Sequence, residues 1–222
     1  MKKMMSFIIL FALCTCLYKP VIHVSSSQLL NQRVIVLDPG HGGLDNGASI
    51  AGVDEDELNL KISFALKEEL ESRGATVYMT RTDDQDMTRR NYNYSKQDDM
   101  YLRALKIDEY QPDLFLSIHL NSSNSSAWGS QVFYYKKSED GKRLADSIHN
   151  QMKTLTGTRK NISSSSFYIL RATQSLGVLI ECGFLSNDNE RGQLKSRSYH
   201  KKLATVISDG IQDYFQALSA PL

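Results

Sequence analysis

The sequence predicts an α/β fold: a single domain on a twisted, mainly parallel or mixed β-sheet, with helices on both faces. Three observations carry this expectation. Short β-branched or apolar runs alternate with longer stretches of helical period, the pattern of strands joined by crossover helices. The 222 residues exceed one average domain and fall short of two, and no internal repeat divides them. Hydrophobic and charged fractions of 41% and 23% are those of an ordinary globular protein, which excludes collagen, a coiled coil and wholesale disorder.

The elements follow in order. Residues 33–37, with Val34, Ile35, Val36 and Leu37, form a short β-branched run and predict a buried strand. Leu58, Ile62, Leu66 and Leu70 recur at helical spacing and predict a helix over 56–73, with Gly74 as its C′ residue. Residues 76–80 read as the next strand and 81–95 as a polar loop. Met100, Leu102, Leu105 and Ile107 mark a helix over 96–109. Strands are predicted at 113–120 and 131–135, an amphipathic helix at 140–155, and two further strands at 167–170 and 177–180. Tyr199, Leu203, Val206, Ile207, Ile211 and Tyr214 form the stripe of a closing helix. The serine clusters at 122–126 and 163–166 read as flexible loops, and residues 24–32 as a tether.

The N-terminus reads differently from the rest. Lys2 and Lys3 precede an uncharged run over 4–18, which Lys19 and Pro20 end. As a helix that run spans roughly 22 Å, short of the ~30 Å hydrocarbon core of a bilayer. Residues 1–27 are therefore expected to be a signal peptide or signal anchor plus tether, and residues 28–222 the folded domain. Membrane contact is expected only through that segment, and the location is expected to be beyond the cytoplasmic membrane. The segment carries three lysines and no acid, so the formal charge of +1 for the whole chain becomes −2 for the remainder. Neither value suits a nucleic-acid binder. Cys14 and Cys16 lie in the segment, and neither follows the small residue of a lipidation site. Cys182 alone remains, so no internal disulfide can staple the exported part.

Three predicted strand ends carry groups with chemistry. The first ends at Asp38-Pro39-Gly40-His41-Gly42-Gly43, a central one at Ser117-Ile118-His119-Leu120-Asn121, and a late one at Ile180-Glu181-Cys182-Gly183. Parallel neighbours would bring all three to one sheet edge, where α/β proteins bind ligands. Two imidazoles and a carboxylate there suit a zinc hydrolase, whose metal takes three protein ligands and keeps a position for water. The third ligand should be an acid from a nearby helix start. Asp54, Glu55, Asp56 and Glu57 all qualify, and acids favour such positions through the helix dipole alone. The glycines around His41 lack the spacing of a dinucleotide or phosphate loop. Glu181 sits in an apolar strand, where a carboxylate without a partner is costly to bury. Cys182 alternates to the opposite face and reads as core.

At these motifs the sequence resembles the zinc-dependent N-acetylmuramoyl-L-alanine amidases, the Amidase_3 family. The resemblance rests on Val36 to Gly43, Glu55 with Leu58-Asn59-Leu60, Thr80-Arg81, Ser117 to Asn121, and Leu179 to Asn187, and it spans residues 33–217. It implies Zn2+ held by His41, Glu55 and His119, with Glu181 as the catalytic acid. It takes Glu55 by register, three residues before Leu58-Asn59-Leu60; the family's usual Glu-Lys-Asp is here Glu55-Asp56-Glu57, which keeps Glu57 in play. It implies substrate contacts at Arg171 and Asn121, peptidoglycan as substrate, and the amide between the lactyl group of N-acetylmuramic acid and L-alanine as the bond cut. Residues 128–135 are most similar to the family's sporulation members. That adds the spore cortex, muramic-δ-lactam formation and an accessory lipoprotein to the expectations. The rival readings are another zinc carboxypeptidase or amidohydrolase of wall peptides, and a wall-binding protein that has lost catalysis.

Overall fold

The structure is a computed structural model that describes residues 30–88 and 95–219. The expected export segment, with Cys14 and Cys16, lies outside the described residues. The elements run β1 (Val34–Pro39), β2 (Ser49–Ile50), β3 (Val53–Asp54), α1 (Glu55–Ser72), β4 (Thr76–Met79), α2 (Lys96–Glu109) and β5 (Leu114–Asn121). They continue with β6 (Gln131–Tyr135), α3 (Glu139–Thr156), β7 (Ser163–Ser165), α4 (Tyr168–Ala172), β8 (Gly177–Phe184), α5 (Asp188–Leu194) and α6 (Arg197–Ser219). No described helix is long and apolar enough to cross a membrane.

Six strands form one sheet in the order β4-β1-β5-β8-β6-β7, and only the β8–β6 pairing is antiparallel. This is the mixed, mostly parallel sheet expected. Its central strand β5 is buried on both faces, as parallel strands under helices must be. Alternation sorts the side chains. Ile35, Leu37, Leu114, Leu116, Ile118, Val178, Ile180 and Cys182 pack beneath α1, α3 and α6. Val36, Phe115 and Leu179 face the other way and meet Ala104 and Ile107 of α2 and Ile169 and Leu170 of α4. Leu66 and Leu70 of α1 are fully buried, so truncating either to Ala should destabilise by about 2–5 kcal/mol.

The same alternation positions the chemistry. Asp38 continues the Val36 face, Ser117 and His119 the Phe115 face, and Glu181 the Leu179 face. Cross-strand register aligns Asp38 with Ser117 and His119 with Glu181. These groups therefore emerge together at the C-terminal edge, on the side of α2 and α4.

The structure corrects three local expectations. Residues 167–170, expected as a strand, lie in the extended Phe167 and the helix α4. A four-residue apolar run has no readable period, and burial of Ile169 and Leu170 against α2 decides the outcome. Residues 163–165, expected as a flexible loop, pair through their backbone with Phe133–Tyr135 as an edge strand. Serines give no apolar signal for that. Leu30 is fully buried, so the end of the expected 24–32 tether is already part of the folded core. The short β2–β3 hairpin and α5 were not anticipated.

Candidate metal centre and catalytic cleft

The site begins with a strained turn. Beyond β1 the chain places His41 at φ +62°, in the left-handed region, a conformation that costs a non-glycine residue on the order of 1–3 kcal/mol. Two arginines hold the turn by its carbonyls. Arg81 donates from Nε to Pro39 O (3.0 Å) and from Nη2 to Gly40 O (3.0 Å) and Asp56 O (2.8 Å). Arg103 donates from Nη1 to Pro39 O (2.7 Å) and from Nη2 to His41 O. Asp38 beneath them accepts from Arg103 Nη1 (2.9 Å), Thr80 Oγ1 (2.7 Å) and Ser117 Oγ (2.8 Å). Burial alone would raise the Asp38 pKa, but the Arg103 charge and these bonds hold it below the usual carboxylate value. Arg103 Nε also binds Asp99 Oδ2 at 2.7 Å, so this buried cation has two carboxylate partners.

Sequence reading missed Asp38 and Arg103 as site builders. A signal was present: Asp99, Arg103 and Ile107 lie four residues apart on one stripe of α2, and all three are buried.

Glu55, the first residue of α1, reaches across the sheet edge. Its Oε1 lies 3.3 Å from His41 Nε2 and 3.1 Å from His119 Nδ1, and accepts from Leu120 N at 3.1 Å. Its Oε2 accepts from Ala48 N at 3.0 Å. Burial opposes ionisation of Glu55, but the bonds to His119 and His41 hold its pKa well below the usual range. The His41 pKa moves up: burial lowers it, and the carboxylates of Glu55 and then Asp45 together more than compensate. One ligand atom from each of His41, Glu55 and His119 lies within 4.8 Å of the others. Two imidazoles and one carboxylate fit zinc, which takes this donor set in hydrolases. The glycines around them leave room for the convergence. A Cβ on Gly40 would stand 2.2 Å from the His119 ring, and one on Gly47 2.6 Å from Glu55 Oε2.

The other acids at the helix start go elsewhere. Glu57 is exposed and pairs with Lys61 at 2.7 Å, and Asp54 accepts from Ser49 Oγ. Asp56 is buried, and burial followed by the neighbouring Asp84 pushes its pKa up to about 6.

Glu181 faces the same space. Its Oε2 is buried without a hydrogen-bond partner among the described residues. Burial pushes its pKa up to about 7; the Glu55 charge adds to this, while His119 and His41 oppose it. A cavity of about 200 Å³ joins Glu181 to His41 and His119, with Met100, Phe167 and Tyr168 among its walls. A larger hollow of about 380 Å³ on the outer side of α1 and α6 contains none of these groups. Cys182 is fully buried on the opposite face, and burial pushes its thiol pKa up. The remaining two expected site residues lie apart from the cavity walls. Arg171 is exposed on α4 with its guanidinium 4.8 Å from the Tyr168 ring centroid, and Tyr168 itself lines the cavity. Asn121 ends β5, where its carbonyl accepts from Leu185 N at 2.9 Å.

Residues 35–213 match the family described as N-acetylmuramoyl-L-alanine amidase, Amidase_3. The germination-specific N-acetylmuramoyl-L-alanine amidase of Bacillus subtilis is 35% identical over 198 residues, covering 86% of this chain and 84% of that one. The CwlD amidase of Clostridioides difficile, solved in complex with the GerS lipoprotein, superposes with a TM-score of 0.78 at 33% identity. It covers 84% of this chain and 100% of that one. The catalytic domain of the amidase CwlV from Bacillus (Paenibacillus) polymyxa gives 0.72 at 29% identity, over 83% and 99%.

Proposed function

This chain belongs to the N-acetylmuramoyl-L-alanine amidase family, and from that premise we propose that it is a zinc hydrolase in which Glu181 moves the proton. The bond cut joins the lactyl carbonyl of N-acetylmuramic acid to the nitrogen of L-alanine in peptidoglycan. The observation that carries the assignment is the Glu181 carboxylate, which faces the same cavity as His41 and His119 with its Oε2 buried and lacking a hydrogen-bond partner among the described residues.

His41, Glu55 and His119 would hold zinc, which supplies Lewis acidity towards the amide carbonyl and lowers the pKa of a water towards ~7. Glu181 accepts a proton from the attacking water as the new carbon–oxygen bond forms. It returns that proton to the alanine nitrogen as the carbon–nitrogen bond breaks. A lactyl carboxylate and a free peptide amine leave, and Glu181 is ready again. Its raised pKa suits both halves of this cycle, because a group poised near 7 can take and give a proton at neutral pH. The arginine-held turn keeps His41 fixed throughout. Arg171 and Asn121 belong to this proposal as substrate contacts outside the cavity walls, Arg171 beside the wall residue Tyr168.

The likeness to germination amidases supports a role in the spore cortex, where peptide removal exposes the lactyl carboxylate needed for muramic-δ-lactam. The GerS complex of the Clostridioides difficile relative supports an accessory lipoprotein here as well. Export through residues 1–27 would place the domain at that substrate. The test is Glu181→Gln with purified muropeptides, read by mass spectrometry beside a zinc assay. The variant should retain zinc and release no stem peptide, while the wild type releases the whole stem peptide. Release of single terminal residues by the wild type would mark a carboxypeptidase instead.

A further inference from the structure

We propose that Asp45 is the positioning residue for His41: it holds the imidazole so that Nε2 faces the metal position, and it thereby sets the metal affinity of the site. The inference rests on the zinc reading above and extends it to a residue that reading does not use.

His41 Nδ1 lies 3.0 Å from Asp45 Oδ2, while His41 Nε2 faces Glu55 Oε1 at 3.3 Å. A carboxylate on Nδ1 keeps the proton there and leaves the Nε2 lone pair for a ligand role. Asp45 is itself held by its neighbours. Its Oδ1 accepts from Gly47 N at 3.2 Å. Its backbone pairs with Gly42, at 2.9 and 3.2 Å. Lys96 Nζ, at the start of α2, lies 3.3 Å from Oδ2. The carboxylate thus orients His41, and the backbone pairing with Gly42 fixes the main chain at Asp45 independently of its side chain. No alternative partner for His41 Nδ1 is recorded among the described residues.

Two variants separate positioning from folding. Asp45→Ala removes the acceptor, and Asp45→Asn keeps the shape and an amide oxygen. Zinc affinity is read by competition with a chromogenic chelator, and the melting temperature is read on metal-free protein. Losing an outer carboxylate of this kind typically weakens metal binding by about 10- to 100-fold. Asp45→Ala should fall in that range, with Asp45→Asn between it and the wild type. Metal-free melting of Asp45→Asn should match the wild type, and KM for muropeptide should stay while kcat at limiting zinc falls. Lys96→Met should move zinc affinity by no more than about three-fold, since its ammonium is largely exposed and screened. If folded Asp45→Ala binds zinc within two-fold of the wild type, or if Asp45→Asn binds it more weakly than Asp45→Ala, the positioning role is wrong and the zinc reading stands. If the wild type binds no zinc, the zinc reading falls and takes this inference with it.

Discussion

Replacing Gly40 by Ala should silence the enzyme without unfolding it. The Gly40 backbone lies outside the left-handed region, so alanine meets no conformational penalty there. A compatible Gly→Ala change stabilises by about 0.4–1 kcal/mol through the unfolded chain. The obstacle is local. The new Cβ would stand 2.2 Å from His119 Cε1 and 2.3 Å from Nε2, whereas ordinary contact begins at 3.4 Å. The ring must therefore retreat by more than an ångström. Glu55 Oε1 lies 3.1 Å from its Nδ1, and the His41 ring centroid lies 4.9 Å away, so retreat disturbs the other two proposed ligands. A displacement of ~1 Å in a reacting constellation costs on the order of 100-fold in rate, or about 2.7 kcal/mol. The assay is initial stem-peptide release by mass spectrometry, with zinc content and thermal melting on the same sample. A folded Gly40→Ala protein with full zinc and a rate within two-fold of the wild type would refute the reasoning.

Two further outcomes are expected. Glu55→Gln should lose zinc and activity, whereas Glu57→Gln should keep both and change stability by less than about 1 kcal/mol, because its Lys61 pair is exposed; zinc assays and urea unfolding check this. The depressed Asp38 pKa predicts acid sensitivity: ionised Asp38 favours the folded state above its unfolded pKa of about 3.9, and that contribution is lost as pH falls from there through the lower folded value. Urea midpoints followed down to about pH 3 should drop less steeply in Asp38→Asn, which itself should destabilise by about 1–3 kcal/mol at neutral pH by leaving buried Arg103 with Asp99 as its remaining carboxylate.

How much was legible follows from where the physical signal resides. The helix over 96–109 and the strand over 131–135 coincide with α2 and β6, because periodicity and turn residues bound them. His41, His119 and Glu181 could be gathered at one edge because each ends an apolar run, and parallel pairing then does the rest. Glu55 could not be told from Glu57 by composition. That distinction lies in the direction of the side chain at the first turn of α1, one towards His119 and the other towards Lys61. The β7 pairing was invisible because backbone hydrogen bonds carry it and side chains do not. Arg103 was overlooked because the spacing of Asp99, Arg103 and Ile107 fits a solvated i,i+4 pair as well as a buried one, and only the position of Asp38 in space decides between them.

The parallel order of β1, β5 and β8 has a consequence for timing. His41 and Glu55 are near neighbours along the chain, but His119 and Glu181 reach them only when β5 docks on β1 and β8 on β5. Such distant pairings form late, after loop closure has been overcome. The half-formed chain therefore offers one histidine and one carboxylate, too few to hold a metal firmly. On the proposed zinc reading, metal capture becomes a signature of the finished sheet, and a chain threaded through a membrane unfolded would collect an ion only on the far side.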